Sequence, residues 1–205
     1  MSSIGESRSC SLAVDVANRD GVETMVERAR QAAPDGRLDV LVNSAGIGGR
    51  GAAVEYEPEL WERVLAVNLT GTLNCCQSVG RHMLEAGAGS IVNIASIGGL
   101  VGYAGSLGYQ VSKGGVVQLT RTLAVEWAPR GVRVNALAPC VFETAVVARQ
   151  REAEPDLYPG MLARIPIGRF GEPEEIVGPA LFLGSDASAM VTGHVLTVDG
   201  GYTAQ

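Results

Sequence analysis

The stretch Ser96–Lys113, Ser-Ile-Gly-Gly-Leu-Val-Gly-Tyr-Ala-Gly-Ser-Leu-Gly-Tyr-Gln-Val-Ser-Lys, joins an apolar run to a helical pattern. Before it, Ile91-Val92-Asn93-Ile94-Ala95 reads as a buried strand bounded by glycines. Within it, Tyr109 and Lys113 stand four residues apart, so a helix places phenol and ammonium on one face. Lys113 is the only lysine; the other fifteen basic residues are arginine. A compact ammonium with rotating donors acts on a neighbouring phenol differently from a planar guanidinium fork. Taken alone, Tyr-x-x-x-Lys also describes an ordinary surface helix pair. Ser96 adds a third group, thirteen residues before Tyr109, at the end of an expected parallel strand. In open α/β sheets ligands bind outside that edge. A hydroxyl, a phenol and an ammonium converging there form a site for oxyanion stabilisation and proton transfer.

Outward from this stretch the chain alternates strand and helix. Ser11–Val16 reads as a short strand, and Asn18 as the cap of a helix with an apolar face of Val22, Met25, Val26 and Ala29. Leu38–Asn43 is a second buried strand, followed by the glycine-rich Ala45-Gly46-Ile47-Gly48-Gly49. Pro58 opens a long helix to about Glu85. A helix carries Tyr109 to Ala128, a strand covers Val132–Ala138, and Pro173 opens one more helix. Val195–Val198 is the last strand. Residues 140–165, rich in Arg, Glu and Pro, break the rhythm and read as a mobile insertion. This alternation predicts an α/β fold, a doubly wound parallel sheet with helices on both faces, in a single domain.

Composition narrows the function classes. Apolar residues at 46% and charged residues at 19% fit a folded, soluble domain. A net charge of −6 without a basic block argues against nucleic acid or an anionic membrane as partner. No apolar run approaches a bilayer span and no secretory segment opens the chain, so the expected location is cytoplasmic. Cys10, Cys75, Cys76 and Cys140 have neither zinc-ligand nor disulfide spacing, and the adjacent Cys75 and Cys76 are expected to pack as small apolar residues. With only His82 and His194, far apart, neither a metal site nor a Ser-His hydrolase is expected.

The residues resemble the short-chain dehydrogenase/reductases, in the branch of ketoacyl reductases and sugar or polyol dehydrogenases. The motifs run through the whole chain: Asp15-Val16, Asn43-Ser44-Ala45-Gly46, Val67-Asn68-Leu69, Ser96 with Tyr109-x-x-x-Lys113, Gly168-Arg169-Phe170-Gly171-Glu172-Pro173, and Val198-Asp199-Gly200-Gly201. The resemblance implies a Rossmann-like oxidoreductase that uses NAD or NADP on a small carbonyl or secondary alcohol, assembled as a homo-oligomer, tetramer or dimer. It assigns catalysis to Asn68, Ser96, Tyr109 and Lys113. It assigns cofactor contacts to Asp15, Val16, Asn43, Ala45, Gly46, Tyr109, Lys113, Pro139 and Thr144. Tyr109 would exchange a proton with the substrate oxygen, and Ser96 would donate to it. Lys113 would lower the Tyr109 pKa and bond the nicotinamide ribose, and Asn68 would hold a water leading from Lys113 to solvent. Asp15 would accept from adenine, though a helix-entry role serves that residue equally.

The sequence departs from the family pattern at two places. Pro139-Cys140 replaces the usual Pro-Gly, and a cysteine without access to positive φ is expected to shift the backbone there. Ahead of Ser11 stand ten residues with no glycine-rich phosphate turn. A βαβ unit with that turn takes roughly 30 residues, so the expectation is an N-terminally truncated sheet missing its first βαβ unit. Leu38–Asn43 should then lose one neighbour, and Ser11–Val16 should have none. The 205 residues alone are expected not to bind the dinucleotide measurably. The alternative is a truncated, non-catalytic family member that keeps its subunit interfaces.

Overall fold

A computed structural model describes residues 9–153 and 157–205. Four parallel strands lie in the order β1 (Val40–Asn43), β2 (Gly89–Ile94), β3 (Val132–Pro139) and β4 (Val195–Val198). Asn43 is in register with Asn93, Ile94 with Leu137, and Pro139 with Val198. The carboxyl ends of all four strands therefore open on one edge, and the loops after them meet there. Parallel strands need crossovers, and helices supply them on both faces.

On one face, α1 (Arg19–Ala32), α3 (Gly71–Ala86) and α4 (Leu107–Trp127) cover the sheet. Val22, Val26, Cys76, Met83, Ile91, Trp127, Val132 and Val134 close that core, and both Cys75 and Cys76 pack in it as expected. On the other face α7 (Val177–Gly184) brings Leu183 onto Val92 and Leu137. The long helix expected over 58–85 forms in three pieces. α2 (Pro58–Leu65) runs into a wide turn at Ala66–Thr70, where the Gly71 N–H reaches back five residues to the Ala66 carbonyl, and α3 follows. The wide turn puts an extra residue into the helix at the site itself.

Three further sequence expectations meet the structure differently. Ser11–Val16 is not a strand: among the described residues no strand lies beside it. Val14 and Val16 instead pack on the first core, and the Asn74 amide donates to the Val16 carbonyl at 3.0 Å. Residues 140–165, expected as a mobile insertion that breaks the rhythm, contain regular elements. They carry α5 (Ala145–Ala153) and α6 (Leu157–Leu162), with Tyr158 and Phe170 edge to face at 5.9 Å beneath them. Part of that segment, Glu154–Asp156, lies outside the described residues. At Cys140, where the missing glycine led to an expected backbone shift, the chain stays extended enough to pair with β4. Among the described residues only glycines have positive φ, and the Cys140 N–H continues the β3–β4 ladder to the Val198 carbonyl.

Candidate active site

The site grows from the end of β2. Ser96 follows the strand in extended conformation and caps a short 3-10 turn, Ile97–Gly99, accepting from the Gly98 N–H at 3.1 Å. The turn lies hard against α4: a Cβ on Gly99 would stand 2.7 Å from the Lys113 carbonyl group, so only glycine allows that approach. α4 therefore passes the strand end closely enough for its first two turns to face Ser96.

Tyr109, in the first turn of α4, is half-buried; burial raises its pKa, while a hydrogen bond with Ser96 works in the opposite direction. Lys113, one turn on, is buried, with its Nζ donating to the Ile94 carbonyl at 2.6 Å and lying 5.9 Å from the centre of the Tyr109 ring. Burial brings its pKa down to about 8. The expected lowering of Tyr109 by Lys113 is thus not what this geometry gives. Desolvation is the larger effect on the phenol, ahead of the Ser96 hydrogen bond.

Asn68 sits in the wide turn with no exposed surface. Its Oδ1 accepts from the Ile47 N–H at 2.8 Å, and its Nδ2 donates to the Ile47 carbonyl at 2.9 Å and to Ser112 Oγ at 3.0 Å. Ser112 in turn donates to the Tyr109 carbonyl at 2.7 Å. One amide therefore fastens the loop after β1 to the helix that carries Tyr109. Gly46 lies in the same corner, where a Cβ would come within 3.4 Å of Asn68 Oδ1 and 3.6 Å of Lys113 Nζ. The bare glycine keeps the approach to the ammonium clear. This fits the ribose end of a dinucleotide, with Lys113 as donor and the Gly46 backbone as wall.

The remaining residues assigned to the cofactor fall into two groups. Ala45 and Gly46 follow β1 and Pro139 ends β3, all on the edge shared with Ser96. Asn43 also reaches that edge, but its amide turns inward to Asn93 Oδ1 at 2.9 Å and to Cys76 Sγ at 3.3 Å. Asn93 continues the buried line to Thr120. The Cys76 thiol in this layer is pushed up to about 12 by burial and is inert. Asp15 is exposed, its Oδ1 accepting from the Ala17 N–H at 2.9 Å in the turn before α1, whose cap is Asn18. Val16 packs against Gly71 and Thr144 accepts from the Val147 N–H at 3.2 Å at the start of α5.

Sequence reading passed over two residues beside Tyr109. Gln110 accepts from the Tyr103 N–H at 2.9 Å and donates to the Tyr103 carbonyl at 2.6 Å, so the 100–106 loop is clamped to α4. Their only sequence signal was a tyrosine among the glycines of that loop, seven residues before the glutamine.

A family model described as enoyl-(acyl carrier protein) reductase matches residues 2–203. Galactitol 2-dehydrogenase (L-tagatose-forming) of Cereibacter sphaeroides is 43% identical over 204 residues, 98% of this chain and 78% of that protein. A 3-oxoacyl-[acyl-carrier-protein] reductase of Thermotoga maritima is 43% identical over 188 residues, 92% of this chain and 74% of that one. The crystal structure of a putative NAD(P) dependent gluconate 5-dehydrogenase from Beutenbergia cavernae with bound NADP superposes with a TM-score of 0.90 at 44% identity, covering 98% of this chain and 79% of that one.

Proposed function

The chain belongs to the short-chain dehydrogenase/reductase family, oxidoreductases that work with NAD or NADP, and we propose that it interconverts a small secondary alcohol and its carbonyl with Tyr109 as acid and base. The observation that carries this reading is the meeting of Ser96, Tyr109 and buried Lys113 at the end of β2. Bound NAD or NADP supplies the hydride acceptor or donor. Lys113 holds the ribose with its ammonium, and Gly46 leaves room for it. In reduction the Tyr109 phenol gives its proton to the carbonyl oxygen as the carbon gains hydride; in oxidation its phenolate takes the hydroxyl proton. Ser96 donates to the same oxygen as its charge develops. A phenol held protonated by burial is set for the reductive direction.

Carbonyl reduction and alcohol oxidation by Tyr109→Phe should fall about a thousandfold, the scale of acid–base catalysis, with melting temperature unchanged. Rates within tenfold of wild type would remove Tyr109 from the role. A second reading, a member that keeps subunit contacts without turning over substrate, is supported by the open side of β1. Val40 and Val42 are each 49% exposed there. Titration of the 205-residue chain with NADH and NADPH separates the two. Saturation at any concentration up to several millimolar supports the dehydrogenase, and none supports the alternative. We also place the protein in the cytoplasm as a homo-oligomer, tetramer or dimer. No helix among the described residues is long and apolar enough to cross a membrane. Exposed Val111 and Val125 lie four turns apart on one stripe of α4, as a helix-to-helix subunit contact requires.

A further inference from the structure

We propose that Tyr103 is a specificity-determining residue whose hydroxyl takes a second hydroxyl of the substrate, on the carbon next to the reacting one. The site would then favour vicinal diols and α-hydroxy ketones over simple alcohols and ketones. The inference rests on the hydride-transfer reading above and adds the substrate class.

The Tyr103 peptide is held on both sides by Gln110, the residue after Tyr109, so the phenol is fixed relative to the proton-transferring group. The far end of its loop is tied down as well, by the Gly51 N–H on the Gly105 carbonyl at 3.2 Å. The ring reaches back over Gly98, where a Cβ would stand 2.7 Å from the Tyr103 hydroxyl. Gly98 is the residue whose N–H bonds Ser96 Oγ, so the second phenol looks onto the turn that presents Ser96. Burial raises its pKa, and Tyr109, Tyr202 and Cys140 oppose its ionisation further, outweighing the Arg50 charge that favours it, so it remains a neutral donor. Val101, Cys140 and Val141 pack with Ile97 and Tyr202, whose phenol acts on that of Tyr103, in an apolar cluster. The hydrogen bonds of Tyr103 to Gln110 run through its peptide and not through its phenol. A position built to bond a substrate hydroxyl discriminates strongly against an analogue that lacks it, because the protein group is then left unpaired.

The test compares wild type, Tyr103→Phe and Gln110→Ala on trans-1,2-cyclohexanediol and cyclohexanol, with millimolar NAD or NADP. Tyr103→Phe should lower kcat/KM for the diol about tenfold or more, chiefly through KM, and leave cyclohexanol within twofold. Gln110→Ala, which frees the loop, should show the same selectivity loss to a smaller extent. Equal effects on both alcohols, or none, would overturn the role of Tyr103 and leave the dehydrogenase reading standing. If wild type oxidises neither alcohol, the dehydrogenase reading fails for these substrates, and calorimetric titration with the diol decides the residue. Binding weakened about tenfold by Tyr103→Phe supports the assignment; unchanged or undetectable binding to wild type overturns it.

Discussion

The two ends of the sheet edge are built by different means. At the reacting end, buried groups are braced by bonds between distant parts of the chain: Lys113 to Ile94, Asn68 to Ile47 and to Ser112, Asn93 to Thr120. Around Asp15 and Val16 the bonds are mostly local and exposed, the Asn74 amide on the Val16 carbonyl being the long-range exception. Asp15 accepts from Ala17 and Asn18 within its own turn, and the outer side of β1 is open with Val40 and Val42 half in solvent. The contrast follows from what each end must do. Proton transfer needs groups fixed within a fraction of an ångström in a dry setting, and long-range bonds supply that. Recognition of an adenosine tolerates a surface turn. The rigid end is therefore legible as a machine in the chain alone, while the other end becomes a site only through what binds to it.

Three substitutions sharpen or break this contrast. Lys113→Arg keeps the charge but replaces a compact donor with a wide planar fork in a buried slot beside Gly46 and the Ile94 carbonyl. Turnover should fall roughly a hundredfold, and stopped assays with a carbonyl substrate would show it. A rate near wild type would mean that the end is not rigid. Asn68→Ala removes three bonds at once and leaves the Ile47 peptide unpaired. Denaturant melts should show a loss of about 2 kcal/mol, with Gln or Asp no better because neither fits the same triangle. A loss below about 0.5 kcal/mol would make the loop-to-helix brace irrelevant. Asp15→Ala is the control at the other end. Its carboxylate is engaged in its own turn, so nucleotide affinity should change less than threefold; a tenfold change would show that the turn opens to meet adenine.

Most of the fold was legible because its signals are local. The runs 38–43, 91–95, 132–138 and 195–198 became strands within a residue or two, and Asn18 capped its helix. Ser11–Val16 carried the same apolar signal and failed, since a strand also needs a neighbour and sequence pattern does not count neighbours. The break in the 58–85 helix was hidden for the opposite reason. Asn68 is an ordinary polar residue until Ile47, 21 positions away, pulls its amide out of the helix register. Tyr109, Lys113 and Ser96 could be found by spacing along one strand and one helix. The Tyr103–Gln110 clamp depends on a loop folding back, and spacing says nothing about that.

The claim that this chain by itself builds a dry reacting end can be read from one nucleus. Lys113 is the sole lysine, so protein labelled with 13C at the lysine ε-carbon gives a single side-chain signal. Buried beside Ile94, its ammonium should titrate at about 8 rather than at the ordinary 10.5, losing its proton as pH rises through that value while the unfolded chain keeps it. A midpoint near 8 in the native protein, returning to the ordinary value in denaturant, is the predicted result. A native midpoint of 10 or above would place the ammonium in solvent and contradict the account.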